Sequence, residues 1–327
     1  MKALVTGSSG FIGSHLAAEL AKRSYEVQCL IRKTSRRRFL ENLNVRFVLG
    51  DCRDKESLRP AVRGMDYVFH LAGVINALDW KTYFETNTQG TQNLLEACLE
   101  ENPRLQKFVF VSSISACGPS PRGTALREDD DCRPVSDYGR SKLRAEQIVL
   151  GSTDRLPLTI IRPPNVIGPR QKELFEFIKL LHKGIKPLIG TGEPQTSLAS
   201  VDDIVKAIIL TAVHPRSCGQ IYFVTDGRAY SWRDIAGTVA ESLGPRRFYL
   251  KIPYAVQYVL AALFEIGSTM KRTSPLFTRQ NISATRKYCW IYDSSKITNE
   301  LGFKPSLEME ETIRKTVAWY KKEGMIT

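Results

Sequence analysis

The chain has few of the features that mark a membrane, secreted or metal-binding protein. No apolar run reaches the roughly 18 residues that a membrane span requires. The nearest candidate, Tyr254 to Gly267, is interrupted by Gln257 and Glu265. A short strand pattern begins at Lys2, so we expect no signal peptide. Only 4 histidines occur, and none shows metal-ligand spacing with the 7 cysteines, so we predict no metal site and no integral membrane segment.

The cysteines are odd in number and include no Cys-x-x-Cys pair. This usage predicts free thiols in a reducing compartment, and therefore a cytoplasmic location. Lys and Arg total 47 against 34 Asp and Glu, and five basic side chains lie within residues 32–38. A net charge of +13 favours anionic ligands. Because no nucleic-acid-binding motif is present, we expect a small-molecule substrate and no nucleic acid.

Strand and helix patterns alternate through the first half of the chain. We predict strands at 2–6, 26–31, 45–49, 67–71, 108–112 and 158–162, and helices at 11–22, 55–63, 88–101 and 137–150. This alternation predicts parallel βαβ units in an α/β fold. Beyond Arg162, prolines and glycines break the pattern. There we predict helices at 171–183, 201–213, 231–243 and 307–323, and one strand at 221–224.

A glycine-rich segment joins the first strand to the first helix. Gly7, Gly10 and Gly13 form a G-x-x-G-x-x-G pattern. Such glycines permit a tight turn, close approach of a pyrophosphate and close packing of helix on strand. The following helix N-terminus attracts phosphate. We therefore predict a dinucleotide cradle, to which Ser9, Phe11 and Ile12 also contribute.

This cradle makes the predicted sheet a Rossmann doubly wound parallel sheet. We assign residues 1–164 to an NAD(P)-binding Rossmann domain. Residues 165–327 are mostly a smaller C-terminal substrate-binding lobe, from which the chain returns to the main sheet around 198–225.

The choice between NADP and NAD depends on the end of the second strand. NAD-binding proteins place an acidic residue there to hold the ribose 2′-hydroxyl, but this strand ends in Leu30-Ile31-Arg32-Lys33. Arg32, Lys33 and Arg36 favour a 2′-phosphate, and hence NADP. The alternatives are a solvated basic loop and NAD. After the third strand, Asp51-Cys52 is expected to contact the adenine, or else to form a turn.

Tyr138 and Lys142 lie four residues apart, on one face of a predicted helix. An ammonium group near a phenol, together with the positive charge of an oxidised nicotinamide, is expected to lower the tyrosine pKa and so to prepare it for proton transfer. Ser113, at the end of a predicted strand, is expected to bind the substrate oxygen, with Ser112 and Ser115 as competitors. We predict Ser113, Tyr138 and Lys142 as the catalytic residues.

Several further segments, together with these motifs, resemble the extended short-chain dehydrogenase/reductase family, which includes NAD-dependent epimerases and dehydratases. They are Gly50 to Asp54, Val68 to Gly73, Asn87 to Thr91, Val111 to Ser113, Arg162 to Pro169, Val201 to Asp203 and Leu301 to Pro305. The resemblance implies bound NAD(P) and a homodimer that pairs helices 88–101 and 137–150. It also places Leu71, Ala72, Gly73, Val111 and Pro163 near the cofactor. Asn87 is expected in a structural or proton-relay role there.

The subfamily is the harder question. Asn165 resembles a substrate-binding position of sugar-nucleotide epimerases. The arginine that these enzymes usually carry before Val201 is replaced by Thr196, and a second has only a misplaced counterpart in Arg286. The 4,6-dehydratases place an acidic pair just after the catalytic hydroxyl residue, where this chain has Ile114 to Ala116. The segment 251–305 looks more like 3β-hydroxysteroid dehydrogenases and dihydroflavonol reductases.

We therefore predict an NAD(P)-dependent oxidoreductase that transfers hydride between a nicotinamide and a secondary alcohol or ketone. The alternatives are a nucleotide-sugar 4-epimerase with tightly bound NAD, and a non-catalytic NAD(P)-binding sensor. Helix 254–266 is expected to pack into the core rather than line an apolar pocket or touch a membrane. Cys117 occupies a position where the family often has tyrosine, on the substrate side of the pocket.

Overall fold

The computed structural model describes residues 1–187, 194–244, 250–270 and 288–326. The strands within them are β1 (Lys2–Thr6), β2 (Glu26–Ile31), β3 (Val45–Leu49), β4 (Tyr67–His70), β5 (Lys107–Val111), β6 (Leu158–Arg162), β7 (Asn165–Ile167), β8 (Ile185–Pro187), β9 (Gln195–Ser200), β10 (Gln220–Phe223), β11 (Ala229–Ser231) and β12 (Leu250–Ile252).

The helices are α1 (Phe11–Lys22), α2 (Lys55–Val62), α3 (Trp80–Tyr83), α4 (Gly90–Glu101), α5 (Ile114–Cys117), α6 (Asp137–Leu150), α7 (Lys172–His182), α8 (Val201–Val213), α9 (Trp232–Leu243), α10 (Tyr254–Met270), α11 (Ser295–Leu301) and α12 (Met309–Lys322). A π-helical segment, Phe84–Gln89, precedes α4. None of the described helices is long and apolar enough to cross a bilayer.

A seven-stranded parallel sheet forms the centre of the molecule, in the order β10-β6-β5-β4-β1-β2-β3. Every residue of β4, β5 and β6 is buried, because helices cover both faces of the sheet. The strand order reverses between β1 and β4, which opens a crevice at their carboxyl ends. The predicted Rossmann doubly wound sheet is confirmed.

Two apolar layers hold the helices onto this sheet. On one face, Leu16 of α1 packs with Ile204 and Ile208 of α8. On the other, Leu58 of α2 packs with residues of α4 and α6. The start of α6 is fixed by Ser136, whose hydroxyl accepts a hydrogen bond from the Gly139 amide at 3.1 Å. This cap fixes the first turn of α6 and therefore the positions from which Tyr138 and Lys142 enter the crevice.

The C-terminal part contains a three-stranded sheet, β11-β9-β7, and a two-stranded sheet, β12-β8. A third apolar cluster joins α7, α9 and α12. Between these elements the chain returns to the central sheet, where β10 is an edge strand and α8 packs on one face. Strand β9 belongs to the three-stranded sheet. The sequence did not predict β7, β8, β9, β11 or β12. Four of them have only three residues and so carry too little periodicity, and β9 follows glycines and a proline that indicate a loop. The division of the chain at residue 164 stays a prediction.

The expectation that helix 254–266 packs into the core is wrong for most of its described side chains. Val256, Val259 and Leu263 of α10 are 47%, 58% and 60% exposed, whereas Ala261 is buried. The helix is apolar around most of its circumference, so hydrophobicity alone did not identify a buried face.

Candidate active site

The predicted phosphate cradle is a turn between β1 and α1. Gly7 has φ +66°, and the Gly10 amide donates to the Gly7 carbonyl at 2.9 Å. A Cβ atom on Gly13 would lie 2.2 Å from the Gly7 oxygen, and one on Gly7 would lie 2.7 Å from the Ala72 nitrogen. No side chain caps α1, so its first backbone N–H groups remain available to an anion. These features fit a dinucleotide pyrophosphate, and Ser9, Phe11 and Ile12 lie in the same turn.

A buried polar network that the sequence did not predict supports the cradle from below. His70 Nδ1 lies 2.7 Å from the Thr6 hydroxyl, and His70 Nε2 lies 2.9 Å from the Thr91 hydroxyl. Thr91 donates to the Asn87 carbonyl, so its oxygen accepts from Nε2–H and Thr6 donates to Nδ1. Thr6 then accepts from the Leu71 and Ala72 amides. Burial lowers the pKa of His70 to about 3, which keeps the ring neutral.

Asn87 lies in the π-helical segment and is almost completely buried. Its side-chain oxygen accepts from the Val74 amide at 2.8 Å, and its nitrogen donates to the Val74 carbonyl and to Ser141. Asn87 therefore ties the loop after β4, which contains Gly73, to the helix of Tyr138. This geometry fits the structural role; a direct cofactor contact by Asn87 stays a prediction.

The structure brings Ser113, Tyr138 and Lys142 together at the carboxyl end of β5. Ser113 caps α5, and its hydroxyl lies close enough to that of Tyr138 to influence the pKa of the phenol. Lys142 Nζ donates to the Val111 carbonyl at 2.9 Å and lies 4.1 Å from the centre of the Phe110 ring. Ser115 is the second residue of α5; its amide donates to the Ser113 hydroxyl at 3.1 Å and its carbonyl faces Gly139. Ser112 is buried, and its hydroxyl has no partner within the described residues.

Burial controls the ionisation of this trio. It raises the pKa of Tyr138 to about 12, although the neighbouring Ser113 hydroxyl opposes the shift. Burial lowers the pKa of Lys142 to about 7, and Glu146 opposes that shift. Among the protein's own groups desolvation dominates, and the lowering of the tyrosine pKa by Lys142 together with an oxidised nicotinamide stays a prediction.

A buried ion pair that the sequence analysis missed lies beneath Lys142. Glu146 and Arg162 are 1% and 2% exposed. Arg162 donates from Nη2 at 2.7 Å and from Nε at 3.1 Å to the two Glu146 oxygens. Positions 138, 142 and 146 share one face of α6 at i, i+4 spacing, and this spacing was the available signal. The ion pair anchors the end of β6 at Arg162. The next residue, Pro163, accepts a hydrogen bond from the Ile114 amide at its carbonyl.

The residues predicted to bind the adenosine lie at the ends of β2 and β3. Arg32, Lys33 and Arg36 are exposed, and none of them forms an ion pair within the described part of the chain. Asp51 is held by Arg53 at 2.8 Å, and this contact lowers the pKa of the Asp51 carboxyl. Cys52 is buried, which raises the pKa of its thiol to about 12, so it contributes packing.

Asn165 and the loop after β4 lie on the side of the crevice that is expected to receive substrate. Asn165 donates to the Thr196 hydroxyl at 2.9 Å, where the epimerase pattern would have an arginine. Arg286 lies outside the described residues. The loop after β4 is fixed by Tyr83, whose hydroxyl donates to the Ile75 carbonyl and whose ring lies 6.2 Å from that of Tyr138. Ile75 and Leu78 of this loop are 62% and 50% exposed.

The fold and the arrangement of tyrosine and lysine define an enzyme of the extended short-chain dehydrogenase/reductase type. The sequence profile of the NAD dependent epimerase/dehydratase family matches residues 3–224. The chain belongs to this family.

Relatives of known activity fall into more than one class. A UDP-glucose 4-epimerase of Vibrio cholerae is 26% identical, over 96% of this chain and 93% of the relative. A decarboxylating sterol-4-alpha-carboxylate 3-dehydrogenase of Mus musculus is also 26% identical, over 97% of this chain and 90% of the relative. Among solved structures, the dTDP-glucose 4,6-dehydratase DesIV of Streptomyces venezuelae, with NAD bound, is 27% identical and superposes with a TM-score of 0.82. The match covers 100% of this chain and 99% of the DesIV chain. Family membership therefore does not select the reaction.

The Gly13 contact predicts a sharp difference between two glycines. Gly13→Ala places a methyl group 2.2 Å from the Gly7 carbonyl and should lower the free energy of unfolding by roughly 3 kcal/mol, with loss of dinucleotide binding. At Gly10 the nearest atom is 3.1 Å away, and φ is −81°. Gly10→Ala is the matched control and should cost less than about 1 kcal/mol. Urea unfolding measures both; equal stabilities of the two variants would contradict this account.

Lys142 makes stability depend on pH. Its folded-state pKa of about 7 lies below the ordinary lysine value, so between these values the unfolded chain binds more protons. The free energy of unfolding should therefore rise with pH above 7, by at most about 1.4 kcal/mol per unit. Lys142→Met removes this contribution, and its stability relative to the parent should fall as pH rises from 7 to 9.5. Lys22→Met, at an exposed lysine, should show no such trend in urea titrations; a constant difference for Lys142→Met would refute the shift.

Proposed function

We propose that the enzyme transfers hydride between NAD(P) and a secondary alcohol or ketone of a largely apolar molecule. The observation that carries this proposal is the placement of Ser113 beside Tyr138 at the carboxyl end of β5, with Lys142 one helical turn further along α6 and the glycine cradle at the carboxyl end of β1. A bound nicotinamide would supply or accept the hydride. Tyr138 would give a proton to the substrate oxygen or take one from it, and Ser113 would hold that oxygen. Lys142 would orient the nicotinamide ribose and place positive charge beside Tyr138.

Two features support an apolar substrate over a sugar nucleotide. Asn165 is bonded to Thr196 where an arginine would hold a diphosphate, and each missing charge-assisted contact forfeits about 1.5–3 kcal/mol. The exposed side chains of Ile75 and Leu78 lie on the loop that Tyr83 holds beside Tyr138. The sterol dehydrogenase among the relatives is consistent with this choice.

The second candidate is a nucleotide-sugar 4-epimerase with tightly bound NAD, which would perform the same hydride transfer twice with no net redox change. Asn165 and the epimerase among the relatives favour it. A non-catalytic sensor is disfavoured because the whole trio is present and assembled. We further propose a homodimer through α4 and α6, whose outward side chains include Glu100, Arg140 and Arg144.

Tyr138→Phe tests the catalytic proposal. Loss of the phenol should lower turnover of a responsive secondary alcohol or ketone by about 10²–10⁴-fold, since no other group in this position transfers the proton. Dinucleotide binding should remain within a few-fold of the parent. The control is Tyr25→Phe, at the amino-terminal end of β2 on the opposite edge of the sheet. Turnover is followed by the absorbance of reduced nicotinamide over a panel of apolar ketones; an active Tyr138→Phe enzyme would sink the assignment.

We propose NADP as the preferred cofactor, because Arg32, Lys33 and Arg36 lie exposed at the end of β2 without an acidic residue. Arg32→Ala should weaken NADPH binding by about 10-fold, the value of one charge-assisted hydrogen bond, and leave NADH binding nearly unchanged. Arg37→Ala is the matched control, since the Arg37 guanidinium lies over the Phe47 ring, 5.2 Å from its centre. Fluorescence titration measures both. Native mass spectrometry that finds NAD retained after dialysis would overturn the NADP preference and favour the epimerase.

A further inference from the structure

Two cysteines meet between the segments that carry the catalytic trio. Cys117 ends α5, four residues after Ser113, and Cys132 lies six residues before Tyr138. The two thiols are close neighbours, since each shifts the pKa of the other and both belong to one side-chain cluster. The Arg133 amide donates to the Cys117 carbonyl at 2.6 Å, which limits the Cα–Cα distance of the two cysteines to at most roughly 7.4 Å. Since bridged cysteines usually have Cα atoms about 4.4–6.8 Å apart, a bond between them requires only a small movement.

A buried arginine lies against one of the two thiols. Arg162 Nη2 is 3.3 Å from Cys132 Sγ, and Nη1 has no partner within the described residues. The titratable groups around Cys132 are Cys117, Arg162, Glu146 and Tyr292. Contact with the Cys117 thiol and the Arg162 charge lower the pKa of Cys132, whereas contact with Cys132 and burial raise that of Cys117. The Arg162 contact therefore assigns Cys132 as the nucleophile and Cys117 as the thiol that stays protonated.

The two cysteines also differ in exposure to solvent, and the difference agrees with these two roles. Cys132 is partly exposed, so a small oxidant reaches it, whereas Cys117 is 1% exposed and meets only its neighbour. Cys29, Cys52 and Cys98 are buried, and burial raises their pKa values. Cys218 is exposed and lies far from the crevice, in the turn before β10. It serves as an internal reference for unassisted thiol oxidation.

We propose that Cys132 and Cys117 form a hydroperoxide-sensitive dithiol that closes to a disulfide. The Cys132 thiolate attacks a peroxide oxygen, the O–O bond breaks, and Cys132 sulfenic acid forms with release of hydroxide, or of alkoxide from an organic hydroperoxide. Cys117 sulfur then attacks Cys132 sulfur, the S–O bond breaks, and water leaves with the Cys117 proton. The two thiols lose two electrons and the peroxide gains them. A small-molecule thiol reverses the reaction by exchange.

Closure affects the site because the two sulfurs must approach to a bond length of about 2.05 Å. The loop that leads to Ser136, the cap of α6, moves toward α5, whose cap is Ser113. The distance between Ser113 and Tyr138 therefore changes. We expect turnover to fall at least 10-fold in the oxidised form, since small misplacements of catalytic groups have large effects. This last expectation rests on the proposed function, whereas disulfide formation does not.

The test is hydrogen peroxide treatment of the full-length reduced protein, followed by alkylation of remaining thiols and peptide mass mapping. We expect a linked pair of peptides containing Cys117 and Cys132, 2 hydrogen masses lighter than the reduced pair and restored by dithiothreitol. The variants Cys132→Ser and Cys117→Ser should lack it, and Cys218→Ser should keep it. Oxidation of Cys218 before Cys132, or a sulfinic acid at Cys132 with Cys117 still reduced, would overturn the proposal.

A measurement on the unaltered protein keeps the proposal testable if a serine variant fails to fold. The rate of iodoacetamide alkylation at each cysteine is followed against pH by mass spectrometry. The midpoint for Cys132 should lie at least about one pH unit below that for Cys218. Equal midpoints would overturn the thiolate assignment. A disulfide that forms and leaves turnover unchanged would overturn the link to catalysis alone.

Discussion

The arrangement of the site depends on one buried cation. The Lys142 ammonium is almost completely removed from water, beside the Val111 carbonyl and the Phe110 ring. An isolated buried charge costs several kcal/mol, so its neighbours must compensate. Glu146, one helical turn further along α6, supplies the opposite charge and is itself held by Arg162. Alternating charge along one face of α6 thus permits a lysine to stand at the carboxyl edge of the sheet.

The same cation constrains the network beneath the cradle. His70 lies close enough to Lys142 for the ammonium to oppose a charge on its ring, and burial acts in the same direction. A neutral ring has one donor and one acceptor, and these are matched by Thr91 and Thr6. Thr6 in turn holds the Leu71 and Ala72 amides, against which Gly7 packs. The shape of the glycine turn is therefore coupled to the protonation of groups near Tyr138 through a single tautomer of His70.

Sequence reasoning succeeds here where a short pattern fixes the geometry. The glycine turn and the Tyr138–Lys142 pair depend on local spacing, and β1, α1, β2, α6 and β6 begin and end where periodicity predicts. It fails where the geometry comes from distant parts of the chain. Arg162 pairs with Glu146 from a neighbouring element, and Cys117 meets Cys132 through a loop. The desolvation that raises the pKa of Tyr138 was not predicted, because burial depth cannot be read from spacing. The short strands of the C-terminal lobe lacked a period, and the exposed face of α10 lacked a polar boundary.

Arg162 connects the charged residues of α6, Lys142 and Glu146, to the pair of cysteines. With Cys132 as thiolate, the four buried or half-buried groups Lys142, Glu146, Arg162 and Cys132 carry two positive and two negative charges. A disulfide removes one negative charge and leaves Arg162 with Glu146 alone. The set then holds one uncompensated positive charge in a low-dielectric region, and Lys142 is the member able to release a proton. Oxidation of the cysteines would thus favour neutral Lys142 and withdraw the positive charge that stabilises ionised Tyr138. Redox state would act on catalysis through charge as well as through loop position.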